Sequence, residues 1–145
     1  MNNFFKKLLN VVSKDTNPTR LARSCALGLY VAFSPFPGGH MVMMVFFNFL
    51  FDVHFPTLFV VASLNNPWTA IPFFSGDYFF GYWFVHYVLG WSPAWAISLE
   101  KFFGSGSICV WSFLIGGNIL GILAGLVCYP FLLKFFRRFI AKSLA

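Results

Sequence analysis

Charge is what this sequence has least of. Of its 145 residues only 10% are charged, and only four are acidic. An ordinary soluble domain carries roughly 25% charged residues, so a folded chain of this size has too few charges to cover a water-facing surface. The basic residues are also concentrated at the ends. Lys6, Lys7, Lys14, Arg20 and Arg23 precede the first apolar run, Lys134, Arg137, Arg138 and Lys142 follow the last, and Lys101 alone lies between. That distribution excludes a folded basic face of the kind nucleic acid requires.

Cysteine is sparse, and no two of Cys25, Cys109 and Cys128 are close in sequence. This rules out zinc or redox spacing, and all three read as small buried hydrophobes. Also missing are a close pair of acids, a nucleophile elbow, a histidine-rich metal pattern and a glycine-rich phosphate loop. No enzyme activity, cofactor or metal is expected. A cleavable signal is not expected either, because an apolar core would begin only near Ser24, after a long charged lead.

What the sequence does have is apolar bulk: 59% hydrophobic residues, including 22 phenylalanines. Lipid is the natural solvent for such a chain. Basic residues at both ends follow the positive-inside rule, which predicts a multi-pass protein of the bacterial inner membrane with both termini cytoplasmic. Basic flanks near anionic headgroups gain about 1 kcal/mol per residue, so membrane lipids are expected partners.

Residues 1–16 form an amphipathic interfacial segment, with Phe4, Phe5, Leu8 and Val12 on one face. Residues 17–139 form a single membrane domain, and residues 140–145 a basic tail end. Asp15-Thr16-Asn17-Pro18 starts a helix that runs to Phe33, too short to cross a bilayer. It stops at Ser34-Pro35-Phe36-Pro37-Gly38-Gly39-His40, which cannot be helical. A new helix runs from Gly39 or His40 to Asp52. After a polar turn the pattern repeats: apolar from Thr57 to Leu64, broken at Asn65-Asn66-Pro67-Trp68-Thr69, then helical through Asp77 and His86 with Asn66 as cap. Trp91 to Phe103 reads as an interfacial connection, and Ser107 to Leu133 carries no charge and reads as a spanning helix. The fold class is therefore an all-α membrane protein with two broken-helix, re-entrant-like hairpins, a C-terminal transmembrane helix and an N-terminal amphipathic helix. Two cytoplasmic termini require the second unit to supply one net crossing.

Non-helical backbone at membrane depth survives only when buried in protein or lining a wet cavity. Helices restarting at Gly39 and Asn66 expose amides that favour anions. Ser34, Gly39, His40, Asn65, Asn66 and Thr69 are therefore candidate ligand-binding residues for an anionic lipid headgroup or small solute. The alternative is that these polar groups only satisfy one another's broken backbone. Asp77 is ionisable within an apolar run and, with His86, is the candidate proton or polar relay; pairing of Asp77 with His86 or Arg23 is the bland alternative. Gly117, Gly121 and Gly125 fall four apart on one face and read as helix packing.

The Ala26-Leu27-Gly28 helix, the Pro35-Phe36-Pro37-Gly38 tip followed by His40, Asn66-Pro67-Trp68-Thr69 with Gly81 beyond it, and the glycine-rich last helix followed by Arg137-Arg138 resemble the bacterial family of domain of unknown function 2062. The resemblance covers most of the chain from Asn17-Pro18 onward. It implies a small inner-membrane protein and brings no activity with it. Members also occur joined to glycosyltransferase domains, which implies work on lipid-linked glycans or the envelope. Asp52 and His54 depart from that family's turn after the first unit, which favours a basic residue and an asparagine. The broken-helix plan is also similar, at fold level, to the superfamily holding DedA-type lipid transporters.

Three functions follow as expectations: binding or translocation of an anionic headgroup or solute, a non-catalytic scaffold or partner subunit in envelope or glycan assembly, and a membrane enzyme that would need Asp77 and His86 together. A homodimer or a membrane partner protein is expected for so small a chain.

Overall fold

The computed structural model describes residues 17–36, 38–66, 68–91, 96–98 and 107–144. The proposed amphipathic segment 1–16 lies outside these residues.

Helix α1 is Pro18–Phe33, α2 His40–Leu50, α3 Phe55–Ala62 and α4 Ala70–Trp83, which continues as a π-helical turn over Phe84–Val88; α5 is Val110–Leu144. Strands β1 (Ala96–Ser98) and β2 (Ser107–Cys109) form a short antiparallel pair, Ala96 opposite Cys109. This pair is a small departure from the all-α expectation. It moves the start of the last helix from Ser107 to Val110, and that helix runs past the charge-free apolar stretch and its basic end as far as Leu144. The region 140–144 is thus helical.

Local chemistry explains the boundaries. Asn17 caps α1, its side chain accepting from the amides of Thr19 (3.1 Å) and Arg20 (3.2 Å), with Pro18 in the first turn. Gly38 holds φ +84°, a conformation that side-chain-bearing residues rarely adopt, and so makes the turn into α2. The expected cap at Asn66 is instead a turn. Asn66 Oδ1 accepts from the Trp68 amide (2.9 Å) and the Thr69 amide (3.1 Å), and α4 starts only at Ala70.

Helix α5 is the axis of the fold. A methyl group built on Gly117, Gly121 or Gly125 would meet the backbone carbonyl of Phe33 (2.6 Å), Tyr30 (3.1 Å) or Ala26 (3.0 Å). The descending order on α1 shows that α1 runs antiparallel to α5 along this glycine face. Tyr30 reinforces the seam, its hydroxyl donating to Asn118 Oδ1 at 2.7 Å. Gly117, Gly121 and Gly125 thus lie along the contact between α5 and α1.

Helix α3 runs parallel to α1: the His54 amide meets Ser24, Gly28 faces Leu58 and Val61, and Asn65 reaches Ala32. Helix α2 turns back, since Asp52 just beyond it pairs with Arg20 (2.9 Å), and the Asp52 carbonyl accepts from Arg23 (3.3 Å) at the start of α1. The first unit is thus a helix hairpin. The second is not, which corrects the expectation of two hairpins. Asp77 of α4 packs on Gly116 and Gly81 on Ser112, so α4 is antiparallel to α5 and continues in the direction of α3. The cause is the length of α5. Beyond the end of α1 it still offers Ser112 and Gly116, and α4 occupies that surface.

Two small buried clusters hold the helices together. Val31, Met44, Val53, Leu58 and Ala62 join α1, α2 and α3, while Leu21, Ala22, Cys25 and Phe136 join α1 to the far part of α5. Large apolar side chains cover much of the outside, among them Val42 and Phe49 on α2, Phe79 on α4, and Leu126 and Phe131 on α5. Val110–Lys142 is the one described helix stretch long and apolar enough to cross a membrane.

Candidate functional site

Both breaks lie at the same height along α5. Phe33, at the end of α1, packs on Gly117, and its ring lies 4.9 Å from that of Phe73 in the first turn of α4. At the rise of an α-helix this height is roughly 10 Å from Val110 and roughly 26 Å from Lys134. The side chain of Asn65 bridges the breaks directly, its amide donating to the Ala32 carbonyl at 2.7 Å. That carbonyl belongs to the last turn of α1, where the helix leaves acceptors without internal partners.

The remaining polar residues of the breaks are engaged locally. Ser34 is buried, and its hydroxyl donates to the sulfur of Met43 at 3.3 Å. His40 Nε2 donates to the Ser34 carbonyl at 3.1 Å. The Thr69 hydroxyl donates to the Leu64 carbonyl and accepts from the Asn66 amide at 3.0 Å. Ser34, His40, Asn65, Asn66 and Thr69 thus form two neighbouring sets linked by Asn65; the side chains of His40, Asn65, Asn66 and Thr69 close backbone that the breaks leave open, and that of Ser34 bonds the Met43 side chain. Gly39 is the N-cap of α2 and supplies no side-chain cap, so the first-turn amides of α2 meet no capping side chain. Phe36, Gly38, Asn66 and Trp68 are exposed around them, Trp68 at 91%.

The second polar feature lies elsewhere. Asp77 is fully buried on α4, where α4 crosses α5. Neither carboxyl oxygen has a hydrogen-bond partner among the described residues, and the same holds for the hydroxyl of buried Ser112 on α5. The crossing is close: a methyl group on Gly81 would overlap the Ser112 carbonyl oxygen, and one on Gly116 would overlap that of Asp77. Asp77 is joined neither to Arg23, which bonds Asp52 at the other end of α1, nor by hydrogen bond to His86, whose ring lies 4.1 Å from Tyr82. Ser112 and Gly116 escaped the sequence reading. The adjacent glycines Gly116-Gly117 were the available signal, one for each of the two helices packed on α5.

All three cysteines are free, with Cys25 buried. Among the described residues no group of histidine, cysteine, aspartate or glutamate could hold a metal ion.

No curated protein and no solved structure matches the chain. A family model does match, over residues 2–145, and its description is "uncharacterized protein conserved in bacteria (DUF2062)". With the match running almost end to end, the chain belongs to this bacterial family.

Proposed function

We propose that this chain is a multi-pass protein of the bacterial inner membrane which, without catalysis, holds or translocates an anionic group where its two helix breaks meet. The group is a lipid headgroup or a small solute. In this reading α1 and α2 form a re-entrant hairpin, α3 and α4 together make one broken crossing, and α5 makes the second. The antiparallel packing of α1 on α5 supports it by putting Arg20 and Arg23 at the same end as Lys134, Arg137, Arg138 and Lys142. Basic residues gathered at one end favour the cytoplasmic side. The Val110–Leu133 stretch, roughly 36 Å long at helical rise, matches a hydrocarbon core of about 30 Å with some tilt.

The observation that carries the ligand reading is the meeting of the breaks through Asn65 and Ala32, next to a first turn of α2 that no side chain caps. With Ser34, Asn65, Asn66 and Thr69 already engaged, the anion would be met by backbone amides of α2. One observation favours a second reading, the scaffold: every polar side chain of the breaks is engaged within the chain, those of His40, Asn65, Asn66 and Thr69 on backbone and that of Ser34 on the Met43 sulfur. In that reading the exposed apolar faces meet a second copy or a membrane partner.

Water accessibility separates the two. With Cys25, Cys109 and Cys128 replaced, single cysteines go in at Gly39, Asn66 and buried Ser34, and intact membranes are treated with an impermeant thiol reagent. Reaction at Gly39 and Asn66 that anionic lipid or phosphate suppresses supports the ligand reading. If both stay inert while a cysteine in the basic end of α5 reacts, the breaks are packed core and the scaffold reading replaces it.

A further inference from the structure

We propose that the crossing of α4 and α5 is a proton-binding site, with Asp77 as the group that takes up and releases the proton. The site is independent of whatever the two breaks hold.

Three observations meet at this crossing. Asp77 is completely buried, and neither of its carboxyl oxygens has a hydrogen-bond partner among the described residues. Ser112, one turn from Gly116 on the facing helix, is equally buried, and its hydroxyl is equally unpartnered. Gly81 and Gly116 bring the two backbones so close that no larger side chain fits at either position. Buried polar groups that serve the fold are almost always hydrogen-bonded. A carboxyl without a donor fixes nothing in place, and an apolar side chain of similar volume would pack at least as well. What an aspartate supplies here that no apolar residue can is an exchangeable proton.

The surroundings are nearly free of other charges. On α4 and its continuation the titratable neighbours in sequence are Tyr78, Tyr82, His86 and Tyr87, with His86 packed on Tyr82. On α5 there is no charged residue before Lys134, and Cys128 and Tyr129 lie about three turns beyond Gly116. From α1 the groups are Tyr30, bonded to Asn118, Cys25, and Arg20 and Arg23, both held at Asp52. Cys109 ends β2, just before α5. In the neutral acid one oxygen–hydrogen bond holds the proton. On release that bond breaks, the electron pair stays on the carboxylate, and the proton leaves to water. The carboxylate then needs a donor, and Ser112 is the unpartnered hydroxyl on the facing helix. Release therefore loosens or rewets the crossing, and uptake closes it.

The test uses the full chain in lipid vesicles treated with dicyclohexylcarbodiimide over a pH series. The reagent takes the proton of a neutral acid onto its nitrogen, while the carboxylate oxygen bonds its central carbon; rearrangement leaves a stable N-acylurea. The expected result is an adduct mapped by mass spectrometry to the peptide holding Asp77. It should fall several-fold from acid to alkaline pH and be absent from Asp77→Asn. Because the adduct is mapped in the unaltered chain, the result does not depend on that variant folding. Infrared spectra of the same vesicles should show a carboxylic-acid C=O band that disappears in parallel. An absent adduct with no such band at any pH, or an adduct and band unchanged across the series, overturns the proposal.

Discussion

Asn65 closes the end of α1 from another helix: its side-chain amide lies 2.7 Å from the Ala32 carbonyl, thirty-three positions earlier in the chain. This bond ties the first break to the second and fixes both at one height on α5. Ala32 is fully buried, so a lost partner leaves its carbonyl with no easy substitute. Replacing Asn65 by Leu should destabilise the protein by about 1–3 kcal/mol, the cost of a buried acceptor left unpaired. A thermal or denaturant melt of the reconstituted chain checks this. Asn65→Gln should recover part of the loss if its longer side chain can still reach the carbonyl.

The two polar ties at the basic end differ in weight. Arg20 and Asp52 form an ion pair whose side chains are 38% and 69% exposed, so solvent screens it. Asp52→Asn should cost no more than about 1 kcal/mol. Ser24 is buried, donates to the Arg20 carbonyl (2.7 Å) and accepts from the His54 amide (2.7 Å). Ser24→Ala removes both bonds and leaves the amide without its acceptor, an expected cost of about 1–3 kcal/mol. Unfolding of the two variants side by side should rank Ser24→Ala as clearly the worse.

Close approach, rather than glycine itself, should govern the α4–α5 crossing. A methyl group at Gly81 would overlap the Ser112 backbone, whereas one at Gly76, five residues earlier on the same helix, meets nothing within 4 Å. Gly81→Ala must therefore push the helices apart, and overpacking of this kind costs about 1–3 kcal/mol or more when backbone is what must move. Gly76→Ala should be neutral or stabilise by up to about 1 kcal/mol through helix propensity. Melting of the two variants in one lipid composition tests the contrast.

Local signals explain what the sequence made legible. Asn17-Pro18 marked the start of α1, and the prolines and glycines from Pro35 to Gly39 marked its end at Phe33, as the structure has it. Those residues act on their own backbone, so their effect can be read without neighbours. The direction of the chain after the second break could not be read this way. Asn66 looked like a helix cap because caps and turns use the same side-chain acceptor, and only the packing of Asp77 and Gly81 on α5 shows that α4 continues along α3. The breaks drew attention as a site because they concentrate polar residues. That the two sets meet depends on Asn65 reaching Ala32, a long-range contact. Asp77 stands out by its type and apolar setting, but Ser112, equally unpartnered, belongs to a different helix and carried no signal of its own.

Where a partner would bind follows from which apolar surface is already used. Gly121 faces Tyr30 and Phe33 of α1, so its helix face is occupied within the chain. Gly121→Leu should therefore disrupt the fold itself, by about 1–3 kcal/mol or more, and lower the melting temperature whatever the protein binds. An association surface must lie on faces left open, and α2 offers one: Val42 is 72% exposed and Phe49 83%. These residues are seven apart, two turns along one side of the helix. Replacing both by alanine should leave the melting temperature nearly unchanged, because neither side chain is packed in the chain. If the chain works as a scaffold or a dimer, the same double variant should abolish cross-linking between single cysteines placed at Val45. Unchanged cross-linking in that variant would remove α2 as the interface, and a matching loss of melting temperature would mean that its outer face is packed within the fold.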